Sequence, residues 1–152
     1  MDFILPFLAR WVHIVSGMIV LGGMLFAALA LLPGLKGSAT EQSMGDTIAA
    51  RFRPWFLLGV LGLLVSGFYN YYRHVVAKDV PSMYHMIFGM KFLLALHVFA
   101  VGYLALGHNK PKRARLIGGV VISGLVVVVL SNWMRVLSLE ALMHPIVLPA
   151  IK

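Results

Sequence analysis

The run "MYHMIFGMKFLLALHVFAVGYLAL", Met83 to Leu106, decides which solvent this chain folds in. It is apolar for long enough to cross a bilayer as a helix, which takes about 20 residues. Inside it lie Lys91 and His97, two groups that are costly to take out of water. Three more apolar runs, at about residues 4–32, 54–72 and 116–137, have the same character. Of the 152 residues, 61% are hydrophobic and 12% charged, and the mean hydropathy is +0.91. A water-soluble domain carries roughly 25% charged residues. The chain therefore reads as one all-α transmembrane domain over residues 1–152, an integral membrane four-helix bundle with the lipid bilayer as its first partner.

Composition also excludes chemistry. The chain has no cysteine, so disulfides, iron–sulfur clusters and thiolate metal sites are ruled out. The net charge of +8 comes mostly from residues that flank apolar runs. That placement fits topology signals and anionic headgroups, and it argues against nucleic acid as a partner. The start "MDFILPFLARW" has Asp2 and no basic residue ahead of its apolar stretch, so the first helix is expected to stay in the mature protein.

Loop charges set an orientation. The turn "GHNKPKRAR" carries Lys110, Lys112, Arg113 and Arg115, and the first connection carries Lys36, Arg51 and Arg53. Arg10, Arg73, Lys78, Arg135 and Lys152 fall on the other side. The excess assigns the first and third connections to the cytoplasm and both termini to the outer side, as for a multi-pass protein of a bacterial inner (cytoplasmic) membrane. The first connection, Lys36 to Arg53, reads as a polar linker with a short interfacial helix capped near Thr40, Ser43 or Asp46. Pro54 then opens the second span from its first turn. After residue 137 the tail is apolar, broken by Pro145 and Pro149, and too short to span. Gly59, Gly62 and Ser66 on one face of the second span, with Gly119 and Ser123 in the fourth, suit close helix packing in lipid.

An ionisable group in a span costs about 2.5–3.5 kcal/mol at the bilayer centre and is a functional hypothesis by default. His13 and Lys91 sit at similar depth in spans one and three, while His97 is about 9 Å deeper than Lys91 along its helix. No acidic residue lies in any span, which argues against a proton relay or a cation pump. A histidine on one helix facing Lys91 or His97 on another is a geometry that holds a haem between helices. Gly17, one turn after His13, leaves room for a macrocycle edge, and Arg10, Arg73 and Arg135 are on the right side to meet propionates. The alternatives are that each histidine hydrogen-bonds a neighbouring helix and that Lys91 reaches up to the headgroups.

Three segments, "WVHIVSGMIVLGGMLF", "RFRPWFLLGVLGLLVSGFYNYY" and "GMKFLLALHVF", resemble a set of small four-helix membrane proteins. The set comprises the copper-resistance D domain, the flavin-free membrane protoporphyrinogen oxidase and the membrane part of a cytochrome-linked urate oxidase. The resemblance covers about residues 10–137. It implies haem b served by His13 and Lys91, in line with the oxidase branch. That branch's tyrosine–histidine pair late in span three and its asparagine–glutamate–proline signature before span four are absent here. The resemblance therefore implies haem binding rather than porphyrinogen oxidation. The copper-resistance branch implies instead a copper site from Met83, His85, Met86 and Met90, with His74, Met143 and His144 on the same side. Thioether and imidazole suit copper, methionine favouring Cu(I), although methionine also packs well in any membrane helix.

The leading expectation is a membrane-embedded b-type haem protein taking part in electron transfer, as a subunit or partner of a larger redox complex. His13 is one axial ligand, and Lys91 and His97 compete for the second place: Lys91 by depth, His97 because an ammonium must lose its proton before it ligates. The rivals are a copper-handling membrane protein and a structural membrane subunit without a cofactor.

Overall fold

A computed structural model of the chain describes residues 4–35, 38–77, 82–107 and 112–147. It is built from helices, four of them long and apolar enough to cross a membrane. We number them α1 (Ile4–Gly34), α2 (Ala39–Ala77), α3 (Ser82–Ala105) and α4 (Arg113–Val147). The connections are short, as expected of an up-and-down bundle. The apolar runs read from the sequence fall within these helices, except that the third runs one residue, Leu106, past the end of α3.

Two boundaries differ from expectation. The first connection is not a linker with a separate interfacial helix, because α2 starts at Ala39 and runs unbroken through Pro54. The signal for that start is "SATE": the Glu41 amide donates to Ser38 Oγ at 3.3 Å, and the Ser38 amide donates to Glu41 Oε2 at 3.0 Å. This reciprocal capping box satisfies two of the otherwise orphaned amides of the first turn. Pro54 lies well inside the helix rather than in its first turn, at the cost of one backbone hydrogen bond. Membrane helices tolerate that loss where neighbouring helices re-satisfy the freed carbonyl. At the other end of the chain, α4 continues past residue 137 and through Pro145 to Val147.

The helices pack as two pairs. α1 lies along α2, and α3 lies along α4, while contacts between the pairs are sparse. The α1–α2 approach is close because Gly59 and Gly62 have no side chains. A Cβ on Gly59 would meet Ser16 O at 3.3 Å and Val20 Cγ2 at 2.8 Å, and one on Gly62 would collide with Ser16 Oγ. The face picked out in the sequence by Gly59, Gly62 and Ser66 is thus the seam with α1. α3 and α4 are joined at one end by Arg113, which donates from Nε to Ala105 O at 3.2 Å and from Nη2 to Gly107 O at 2.8 Å. The same guanidinium forms an ion pair with Asp46 of α2, tying both pairs together at that end.

Two packed plugs close the bundle. The larger, around Val20, Met24, Phe56, Ala105, Ile117 and Val120, fills the end nearer Arg113. The smaller, Tyr84, Ile87 and Met134 with Tyr71, Phe88 and Leu130 against them, fills the opposite end. The outside is apolar: Leu29, Met18, Leu93 and Ile122 expose 75%, 69%, 69% and 67% of their surface. Large apolar side chains displayed all round a helical bundle are a liability in water and the expected surface in lipid. The chain has the build of a multi-pass membrane protein.

Candidate functional site

Between the two plugs, where the helix pairs separate, lies a cavity of about 610 Å³. All four helices line it: α1 with His13 and Gly17, α2 with Gly67, α3 with Lys91 and Phe92, α4 with Ser131, among others. Exposed Ile14, Met18, Phe68 and Val128 contribute to its wall, so it borders the lipid-facing surface. Its volume falls within the range of about 300–1,000 Å³ typical of small-molecule and cofactor sites. α1 is wound as a π-helix over Met18–Gly22, immediately after Gly17. The same helix takes a second π stretch over Ala27–Leu31, away from the cavity.

His13 is held in one orientation. Its Nδ1 lies 2.9 Å from Ser66 Oγ on α2. Ser66 Oγ also lies within hydrogen-bond reach of the Gly62 carbonyl one turn earlier and of the Leu63 carbonyl, and a hydroxyl has a single proton to give. With that proton given to a carbonyl of α2, the serine oxygen accepts from Nδ1 of His13. That arrangement corresponds to the Nδ1–H tautomer, in which Nε2 keeps its lone pair and is the nitrogen able to ligate a metal or take a proton. Gly67, the next residue, has its Cβ position 3.6 Å from His13 Cε1, so the ring rests against bare backbone.

Lys91 lines the same cavity and is half-buried. It makes no hydrogen bond or ion pair with another described residue. Of the acids whose side chains are described, Asp46 pairs with Arg113 and Glu41 is spent on the α2 cap. Ser131, the third polar side chain of the wall, donates its proton to Val127 O at 2.7 Å. The cavity thus offers an apolar enclosure with one free imidazole lone pair and one amine.

Of the residues expected in a haem site, the fold brings together His13, Gly17 and Lys91 and leaves His97 apart. His97 is exposed and is not part of the cavity wall. The reason is angular: six residues on from Lys91 is about 240° around the helix, which turns His97 away from the gap between the pairs. Arg10, Arg73 and Arg135 are also exposed and outside the wall.

The methionine–histidine set at the start of α3 is arranged differently. Met83, Met86 and Met90 expose 48%, 60% and 51% of their surface. His85 is engaged through Nδ1 by the Tyr71 hydroxyl at 2.8 Å. His74, Met143 and His144 fall outside the residues whose side chains are described. Among the described residues, no group of three or more His, Cys, Asp or Glu is placed to hold a metal ion.

Some site residues escape sequence reasoning. Ser66 is visible in the sequence only as a small residue on a packing face, and its role depends on which turn of α1 it meets. Phe88, Phe92 and Phe68 form a connected aromatic series beside the cavity, with Phe88 stacked on Tyr71 at 3.7 Å and Phe68 edge-on to Phe92 at 5.3 Å. Nothing in their spacing separates them from ordinary membrane-helix phenylalanines. Comparison with models of known protein families, with curated proteins and with solved structures finds no match.

Proposed function

We propose that this protein is a b-type haem protein of the membrane that takes part in electron transfer, with His13 as the axial ligand. The observation that carries the reading is His13, held through Nδ1 against Ser66 Oγ, in a wall that all four helices build. Metal-bound histidines almost always donate their other ring N–H to a fixed acceptor, which orients the ring and raises its basicity. Ser66 meets that description. The donor set suits a porphyrin: a nitrogen lone pair for iron, apolar and aromatic walls for the ring faces, and Gly17 and Gly67 where side chains would intrude. Haem supplies a one-electron Fe(III)/Fe(II) couple when bound. The chain's own residues hold and orient it and keep water from it.

The remainder of the reading follows from charge and chemistry. The Lys/Arg asymmetry favours a cytoplasmic Lys112 turn and outer termini, and the bacterial inner membrane is the matching location. The resemblance to the membrane protoporphyrinogen oxidase branch supports the same cofactor. Among the described residues no nucleophile–base pair or carboxylate pair faces the cavity, so electrons pass to or from a membrane redox partner.

The test is an absorption spectrum of the purified protein, with bound haem counted as its pyridine adduct. A haem b α band is expected in the wild type. His13→Ala should lose most of it, and Gly17→Phe, which fills the cavity from its wall, should lose it while the bundle still folds. Native spectra and full occupancy in both variants would overturn the proposal.

A further inference from the structure

We propose that Lys91 is a carboxylate-binding residue, its ammonium pairing with a propionate of the bound porphyrin rather than ligating the iron. The inference rests on the haem reading above and assigns this residue a role within it.

Among the described residues, Lys91 is the one cation in the cavity wall. The arginines on the same side of the bundle, Arg10, Arg73 and Arg135, are exposed and outside it. Both acids whose side chains are described are engaged elsewhere, Asp46 with Arg113 and Glu41 with the Ser38 amide. An ammonium in an apolar enclosure is costly unless paired and hydrogen-bonded. A carboxylate brought in by the ligand removes that cost, and Lys91 in turn removes the cost of burying the carboxylate. The two needs cancel in one ion pair with a charge-assisted hydrogen bond.

Ligation by Lys91 would do the opposite. It would require a neutral amine and leave an anionic propionate in the membrane with no described cation in the wall to meet it. The position is suitable as well. His13 of α1 and Lys91 of α3 line the same cavity from opposite helix pairs, so iron ligand and carboxylate partner stand on either side of the gap. A flexible four-carbon stem lets the amine reach a group at the ring edge.

The experiment uses the full chain, purified in detergent from haem-deficient cells and titrated with haem b and with haem b dimethyl ester. The ester has the same iron and ring faces but no carboxylate charge. Wild type is expected to bind the free acid at least about tenfold more tightly than the ester, the scale of one hydrogen bond to a charged group. Lys91→Gln should bind both equally, at the ester's level, with the iron spectrum of the wild type, and Lys91→Arg should keep the discrimination. Equal binding of acid and ester by wild type would overturn the inference while leaving the haem reading in place. So would a changed axial-ligand spectrum in Lys91→Gln, since that assigns the amine to the iron. A wild type that binds neither form, with its helical content intact, would overturn the haem reading and this inference together.

Discussion

Ser66 has one proton to give, and the chemistry of His13 follows from where it goes. Donated to the Gly62 carbonyl, it leaves the serine oxygen to accept from the ring, which then stands as the Nδ1–H tautomer with Nε2 free. Ser66→Ala removes the acceptor, so the ring can rotate and its tautomer is no longer set. Haem affinity is expected to fall by about 10–100-fold, the usual cost of losing a partner of a metal-bound histidine, with thermal stability changed far less. A titration of Ser66→Ala against wild type checks this, and unchanged affinity would show that the serine serves packing alone. At this scale the sequence disclosed His13, Lys91 and Gly17, because a polar or missing side chain in an apolar run is conspicuous. It did not disclose Ser66, whose partner lies 53 positions away and depends on the register of α1 against α2. It also left His97 open as a ligand, since depth alone does not say which face of α3 looks into the gap.

Hydropathy reads lipid, and helices do not end where lipid does. That is why α2 and α4 extend beyond the spans marked by their apolar runs, α2 beginning at Ala39 and α4 ending at Val147. The start of α2 was legible in "SATE", a serine followed three residues later by glutamate, but Thr40, Ser43 and Asp46 competed for the same role. Asp46 is instead committed to Arg113, a contact between elements far apart in the chain that no local pattern announces. Ser38→Ala is expected to destabilise the first turns of α2 by about 1 kcal/mol. Faster hydrogen exchange confined to the amides near Glu41 would report it, whereas a loss spread over the whole helix would mean the cap is not the local stop. Pro54, read as the start of a span, shows the same limit: its fixed φ suits a first turn, yet the helix passes through it.

At the scale of the whole molecule, two helix pairs with sparse contacts between them leave a gap, and the cavity occupies that gap. The sequence could count the helices and order them, because each apolar run is long and each connection short. It could not pair them, so it could not locate the cavity. The charge asymmetry makes its own prediction: a cysteine placed at Lys112 should be labelled by a membrane-impermeant reagent only after the cells are opened. Labelling from outside intact cells would reverse the orientation.

The central claim, that His13 holds haem iron in this cavity, is tested most directly by removing the imidazole and returning it. His13→Gly, as full chain in detergent, is titrated with haem b in the absence and presence of free imidazole, and the α band is followed. The account predicts little binding without imidazole and recovery of most of the wild-type band with it, because the mutation opens space where the free ring can sit. Wild-type binding and spectrum in His13→Gly without any imidazole would contradict it.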